Sequence, residues 1–108
     1  VYTIQDSSTI IGYLLLTRAK GRYDYFDYGI LYSPDLSIIR VYVTVYRSTH
    51  GAAISQKKWL NQFKGYQGGN LELGADIDAV SGGTISSASL VNDIKRCHTL
   101  MSAILSKQ

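Results

Sequence analysis

Tyr23-Asp24-Tyr25-Phe26-Asp27-Tyr28-Gly29-Ile30-Leu31-Tyr32-Ser33-Pro34-Asp35 reads as an extended segment that runs into a turn. Phe26, Tyr28, Ile30 and Tyr32 fall on one face at the period of two that a strand requires. Ser33-Pro34-Asp35 ends the segment, because proline presets the first central angle of a type I turn. Beyond the turn, residues 38–47 alternate again, with Ile39, Val41, Val43 and Val45 on one side and Arg40, Tyr42, Thr44 and Tyr46 on the other. β-Branched residues in that pattern predict a central strand with a buried valine face.

Working outward, residues 1–5 and 11–19 read as two further strands around an Asp6-Ser7-Ser8 turn, and Lys20-Gly21 closes the second. Downstream of the valine strand comes a His50-Gly51-Ala52-Ala53 loop. Ser55 then caps a short helix predicted over residues 56–64 and stopped by Gly65, with Ile54 and Trp59 as a hydrophobic staple. Residues 66–74 are glycine-rich and irregular, so they are expected to wrap the surface. From Ser86 onward, Leu90, Val91, Ile94, Cys97, Leu100, Met101, Ile104 and Leu105 recur at three- and four-residue spacings. That spacing predicts an amphipathic helix of about five turns with its apolar stripe on the sheet. The predicted fold class is α+β: a mostly antiparallel sheet with one short helix and one long C-terminal amphipathic helix.

The chain has 108 residues, enough for one domain over its whole length, residues 1–108, with a single modest core. Hydrophobic residues at 45% and charged residues at 18% describe a globular chain rather than a disordered one. The longest apolar run, residues 10–16, is broken by Gly12 and is far short of the roughly 20 residues a bilayer helix needs. Because the sequence starts at Val1, an upstream segment is expected to have been removed, and a signal or membrane anchor is expected there. The single cysteine, Cys97, excludes an internal disulfide, matches no metal spacing, and reads as a buried inert thiol among apolar helix residues. No metal site and no catalytic residue is assigned.

The formal charge of +3, from 11 basic and 8 acidic residues, is spread in patches. Arg18, Lys20 and Arg22 cluster at one turn, Lys57, Lys58 and Lys64 lie on the short helix, and Glu72, Asp76 and Asp78 precede a glycine motif. A nucleic-acid binder would carry a continuous basic stripe and a recognisable module, and neither is present, so no nucleic-acid partner is expected. The nine tyrosines suit strands with one wet face better than a base-stacking platform.

Asp78-Ala79-Val80-Ser81-Gly82-Gly83-Thr84-Ile85-Ser86-Ser87 places two glycines and several hydroxyls directly before the long helix. Thr84 then offers a hydroxyl at a helix mouth, where roughly half a positive charge favours a phosphate. Gly82 and Gly83 let backbone N–H groups close on phosphate oxygens, and Ser81 and Ser86 can each donate a further hydrogen bond. Asp78 should not touch the phosphate, since like charges repel. The plainer reading is a capped helix start with Gly82-Gly83 as a tight turn.

The segment from Asp78 to Ser86 resembles the flavinylation motif of bacterial FMN-binding domains, Asp-x-x-Ser/Thr-Gly-Ala-Thr-x-Ser/Thr. Such domains occur in the C subunit of the sodium-pumping NADH:quinone reductase, in the G subunit of the Rnf complex and in many exported flavoproteins. The order of strand, proline turn, valine-rich strand, glycine loop, Trp-Leu-x-x-Phe helix and Asp-Ile-Asp lead-in is also similar, over about residues 12–94. Two departures stand out: Gly83 replaces the usual alanine, and Ser48-Thr49-His50-Gly51-Ala52-Ala53 replaces a Glu-Thr-Pro-Gly loop that contacts the flavin ring.

The resemblance implies that a flavin transferase joins the phosphate of FMN to Thr84 through a phosphoester. It implies a cofactor-binding set of Ser81, Gly82, Gly83, Thr84, Ile85 and Ser86, with His50, Gly51, Ala52 and Trp59 as ring-side candidates. In that reading Asp78 serves the transferase, through Mg2+, or shapes the turn. Lys57 or Lys58 would stabilise an anionic reduced flavin or be solvated, and Trp59 with Phe63 would pack the core in any case. The implied function is an FMN-binding electron-transfer module rather than a self-contained enzyme. It would pass electrons between neighbouring redox proteins outside the cytoplasm, in the periplasm, cell envelope or surface, and touch a membrane only through an upstream anchor. The rival is a binding or interaction domain of the same fold that carries no flavin, favoured by Gly83 and the altered loop. A Ser81, His50, Asp78 hydrolase lacks the strained strand-turn-helix elbow its nucleophile would need.

Overall fold

The computed structural model describes residues 1–21, 24–46, 57–79 and 84–106. Four strands form one antiparallel sheet in sequential order: β1 (Tyr2–Asp6), β2 (Thr9–Lys20), β3 (Tyr25–Tyr32) and β4 (Ile38–Tyr46). Helix α1 (Lys57–Leu60) runs into a 3₁₀ turn over Asn61–Phe63, and α2 (Thr84–Leu105) is the long C-terminal helix. The α+β architecture expected from the sequence is the one observed.

The period of two in β3 does what its residues demand. Phe26, Tyr28, Ile30 and Tyr32 all point inward and are essentially inaccessible. Opposite them on β2, Tyr13, Leu15 and Ala19 are buried in the same layer. From the other side, α2 contributes Leu90, Val91, Ile94, Cys97 and Met101, and the α1 segment adds Trp59, Leu60 and Phe63. Ser7 between β1 and β2 adopts φ 56°, the left-handed conformation that lets so short a connection reverse the chain.

Three expectations need correcting. β4 is an edge strand of the described sheet, not a central one. Its valine face is only partly buried, because the β3–β4 register shifts twice, between Asp27 and Tyr28 and between Leu31 and Tyr32. Each bulge turns the alternation over, so Ile38 and Val41 face the core while Ile39 and Val45 are exposed. The short helix begins as α and tightens to 3₁₀ before Gly65, whose φ of 90° stops it. Ser55, Ile54 and Gln56, the predicted cap, staple and first turn, lie outside the described residues. The apolar stripe of α2 is narrower than its spacing predicts: Met101 is buried and Leu105 packs against the core, while Leu100 and Ile104 beside them are 43% and 36% exposed.

The outer edge of β4 is covered at its start. Ile38 N–H donates to Tyr66 O at 2.9 Å and Gly65 N–H donates to Ile38 O at 2.8 Å, so the chain leaving the 3₁₀ turn pairs briefly with the strand. The Ser33–Asp35 turn is held by its own side chains: the Ser33 hydroxyl and the Ser37 amide both donate to the Asp35 carboxylate. These contacts hold that carboxyl below its ordinary value, the Ser33 bond first. Their support of the turn is present at neutral pH and fades as acidification protonates Asp35.

A polar cluster sits between sheet and α2. The Tyr28 hydroxyl donates to Asp93, whose other oxygen pairs with Arg96 Nε at 2.8 Å, and the Tyr28 oxygen lies 3.5 Å from Cys97 Sγ. Burial above all pushes the Tyr28 phenol far up from its ordinary value, so it is a permanent donor. Asp93→Ala should therefore cost about 1–3 kcal/mol, the penalty of a buried hydroxyl left unpaired. Tyr28→Phe in the same background should recover part of that loss in a urea titration. Burial likewise pushes the Cys97 thiol up, and only 1% of the residue is accessible. A thiol reagent should label the native protein at least about a hundredfold more slowly than the urea-unfolded chain.

Candidate functional site

The end of the fold around the N-terminus of α2 carries the motif. Thr84 is the first residue of a 22-residue helix and is exposed, with Ile85 beside it also open to solvent. The next two residues turn inward: Ser86 and Ser87 are 3% and 0% accessible. The Ser87 hydroxyl donates to Thr84 O at 3.1 Å, which ties the first helical turn to itself. Ser86 Oγ lies against Gly21 at the end of β2, 3.1 Å from where a Cβ at that glycine would stand. The helix start thus presents one accessible threonine hydroxyl, backed by two serines that seat it on the sheet. Ser81, Gly82 and Gly83 lie outside the described residues, as do His50, Gly51 and Ala52.

Upstream, the acidic lead-in is anchored rather than loose. Ile77 is buried, while Asp78 and Ala79 are exposed. Glu72 O accepts hydrogen bonds from the amides of Ala75, Asp76 and Ile77, and the Asp76 carboxylate accepts from Glu72 N–H at 2.9 Å. Gly74, at φ 89°, supplies the left-handed turn that closes this small loop. Asp78 is then gripped at both backbone polar atoms. Trp59 Nε1–H donates to Asp78 O at 2.7 Å, and Asp78 N–H donates to Gln62 Oε1 at 2.9 Å. Gln62 is itself oriented by Nε2–H donating to Trp59 O at 3.1 Å.

Trp59 is therefore a wall residue whose polar edge is already engaged. Only 9% of it is accessible, and its ring meets Phe63 edge-on at a centroid distance of 5.4 Å. Lys58, Trp59, Gln62 and Asp78 line an open hollow of about 230 Å³, in which Lys58 is the cation and Asp78 the anion. Lys57 and Lys58 are both solvent-exposed. A second hollow of about 330 Å³ follows the helix from Ala88 past Val91 to Lys95, opposite Leu71 and Leu73. His98, the other histidine, packs against the Tyr66 ring at 5.6 Å, on the flank of the α2 stripe.

Gln62 is the residue that reading the sequence missed. Its partner lies 16 positions away, so no local spacing marks it; the only hint is its place one turn beyond Trp59 on the same short helix. Among the described residues there is no cluster of His, Cys, Asp and Glu that could hold a metal ion. Among them, too, no helix is long and apolar enough to cross a membrane.

The described residues suit a phosphoryl group: an exposed threonine with a secondary hydroxyl stands at the positive end of a long helix, with no carboxylate on the helix's first turn to repel an anion. No protein-family model matches the sequence, and no curated protein matches it either. The fold is similar to that in the crystal structure of Shewanella oneidensis NqrC, with a TM-score of 0.66 and 20% sequence identity. The match covers 86% of this chain and 52% of the NqrC chain, so this chain spans about half the length of that protein. At that identity the likeness is one of fold.

Proposed function

We propose that this chain is an FMN-binding electron-transfer domain that carries the flavin on Thr84. The observation that carries the reading is the agreement of two independent facts. The motif from Asp78 to Ser86 resembles the attachment segment of bacterial FMN-binding domains, and the fold is similar to that of Shewanella oneidensis NqrC. The exposed position of Thr84 at the head of α2 supports the same reading.

The chain's own part in attachment is nucleophilic. Thr84 Oγ1 loses its proton and forms a bond to phosphorus, while a phosphoanhydride of an activated flavin donor breaks and its other half departs; a transferase supplies donor and base. Once formed, the diester stays near the positive end of the helix. Thr84 and Ile85, with Ser81, Gly82, Gly83 and Ser86, form the proposed cofactor segment, and His50, Gly51, Ala52 and Trp59 the proposed ring side. FMN when bound supplies one- and two-electron chemistry, and the protein supplies position and exposure. We assign electron exchange to neighbouring redox proteins and the working location to the cell envelope, outside the cytoplasm, where covalent attachment keeps a flavin that could not be recovered.

Intact mass after co-expression with a flavin transferase tests the proposal. A gain equal to FMN less water, with a yellow product, is expected. A colourless chain at its unmodified mass would favour the rival, an interaction domain that keeps this fold without flavin.

A further inference from the structure

The proposed attachment segment is short, and the residues that flank it, Asp78 and Thr84, are each held in place. At its far end Thr84 belongs to a helix seated by buried Ser86 and Ser87. At its near end the backbone of Asp78 is held by two side chains of the α1 segment, one on its carbonyl at 2.7 Å and one on its amide at 2.9 Å. A side-chain hydrogen bond to both backbone polar atoms of one exposed residue is unusual, because water would serve an exposed residue equally well. Gln62 Nε2–H also donates back to Trp59 O at 3.1 Å, so three hydrogen bonds link Trp59, Asp78 and Gln62 in one closed set. Engaging the main chain leaves the Asp78 carboxylate free to face solvent.

We propose that Gln62 and Trp59 are positioning residues for flavin attachment: together they clamp the Asp78 backbone, and so set where the segment leading to Thr84 leaves the body of the domain and present the Asp78 carboxylate to the modifying enzyme. The proposal rests on the reading of Thr84 as the attachment point. Its physical basis is that a nucleophile on a segment anchored at both ends explores fewer orientations than one on a segment anchored at one end, and misplacement by about 1 Å can cost a reaction on the order of a hundredfold.

The test uses the flavin-free chain, purified flavin transferase and its flavin donor, with two readouts: the rate of mass gain, and exchange of the Asp78 amide by NMR. Gln62→Met removes both the acceptor for the Asp78 amide and the Nε2 donor to Trp59 O at nearly constant size, and Gln62→Glu gives up only that donor while it keeps an acceptor within reach of the Asp78 amide. In Gln62→Met the Asp78 amide should exchange about tenfold faster, as loss of one hydrogen bond implies, and attachment should slow about tenfold. Amides of α2 between Leu90 and Met101 should keep their wild-type exchange rates. Gln62→Glu should stay within about threefold of wild type on both readouts, and Trp59→Phe, which deletes the indole donor together with part of the ring, should behave like Gln62→Met while the α2 amides keep their wild-type rates.

Attachment to Gln62→Met at the wild-type rate would overturn the clamp. So would faster exchange spread evenly over Asp78 and the helix amides, the signature of general destabilisation. A wild-type chain that gains no mass would instead remove the attachment reading itself, and the proposal with it, so the two failures are told apart by the wild-type control.

Discussion

A Thr84→Ala chain co-expressed with a flavin transferase should remain colourless and at its unmodified mass, while the wild-type chain gains FMN. The effect is expected to be all or none, because the substitution deletes the attacking oxygen and leaves no substitute on the helix's first turn. Ser86 and Ser87 carry hydroxyls nearby, yet both are buried against the sheet and cannot reach a phosphorus delivered from solvent. Stability should hardly change, since an exposed first-turn threonine contributes within about 0.5 kcal/mol of alanine. Thr84→Ser, which keeps the oxygen and drops a methyl, should still be modified. A mass gain in Thr84→Ala would place the flavin elsewhere and sink the assignment. Unchanged thermal unfolding of the unmodified alanine variant separates loss of attachment from loss of fold.

The second large effect is on stability, and it is expected at Phe63. This ring is wholly inaccessible, meets Trp59 edge-on and sits in the 3₁₀ turn that leads into the Gly65–Tyr66 pairing with β4. Phe63→Ala should cost about 3–5 kcal/mol, the usual range for emptying an aromatic site in a core. For a domain near this size that lowers the melting temperature by on the order of 15 °C. Phe63→Leu should cost markedly less, since most of the volume is kept. Urea titration of the three chains checks the order, and equal midpoints for wild type and Phe63→Ala would show that the α1 segment is not part of the cooperative core. Because Trp59 leans on this ring, Phe63→Ala should also loosen the grip on Asp78, a coupling that amide exchange at Asp78 would register.

Much of the fold could be read because its clearest segments obey a single period. Phe26, Tyr28, Ile30 and Tyr32 were expected on one face of a strand and are buried together. Leu90, Val91, Ile94, Cys97 and Met101 likewise lie on the buried face of α2. Where the reading failed, the cause was a feature that periodicity cannot encode. Counting by two through β4 assumes unbroken pairing, and two register shifts against β3 reassign Ile38, Ile39 and Val45. Strand order is equally silent in the pattern: the alternating valines of β4 predict a central strand, and the described sheet has it at an edge. Leu100 and Ile104 continue the apolar spacing, but they lie to one side of the line of Met101 and Leu105 that meets the core, and spacing alone does not give the width of the buried face.

At the site, Thr84 was singled out by its motif, and the structure places it exposed at the head of the helix. The grip of Trp59 and Gln62 on Asp78 was not legible, because hydrogen bonds to a main-chain N–H or C=O leave no mark on the identity of the residue that is held. Trp59 illustrates the ambiguity: beside the proposed attachment motif it invites a flavin-edge contact, while its indole N–H is committed to a backbone carbonyl.

The polar cluster of Tyr28, Asp93 and Arg96 has a geometric consequence for Thr84, the proposed attachment point. An apolar helix can slide along an apolar sheet at little cost, because one turn of leucines resembles the next. A carboxylate fastened to a tyrosine on the middle of the sheet cannot, since sliding would strand both groups in the interior. Asp93 thus acts as a registration peg, and from it back to Thr84 runs about 14 Å of rigid helix at 1.5 Å per residue. The height at which the threonine hydroxyl emerges from the sheet is set by a bond made near the helix's midpoint, as a ruler is set by the pin through its centre.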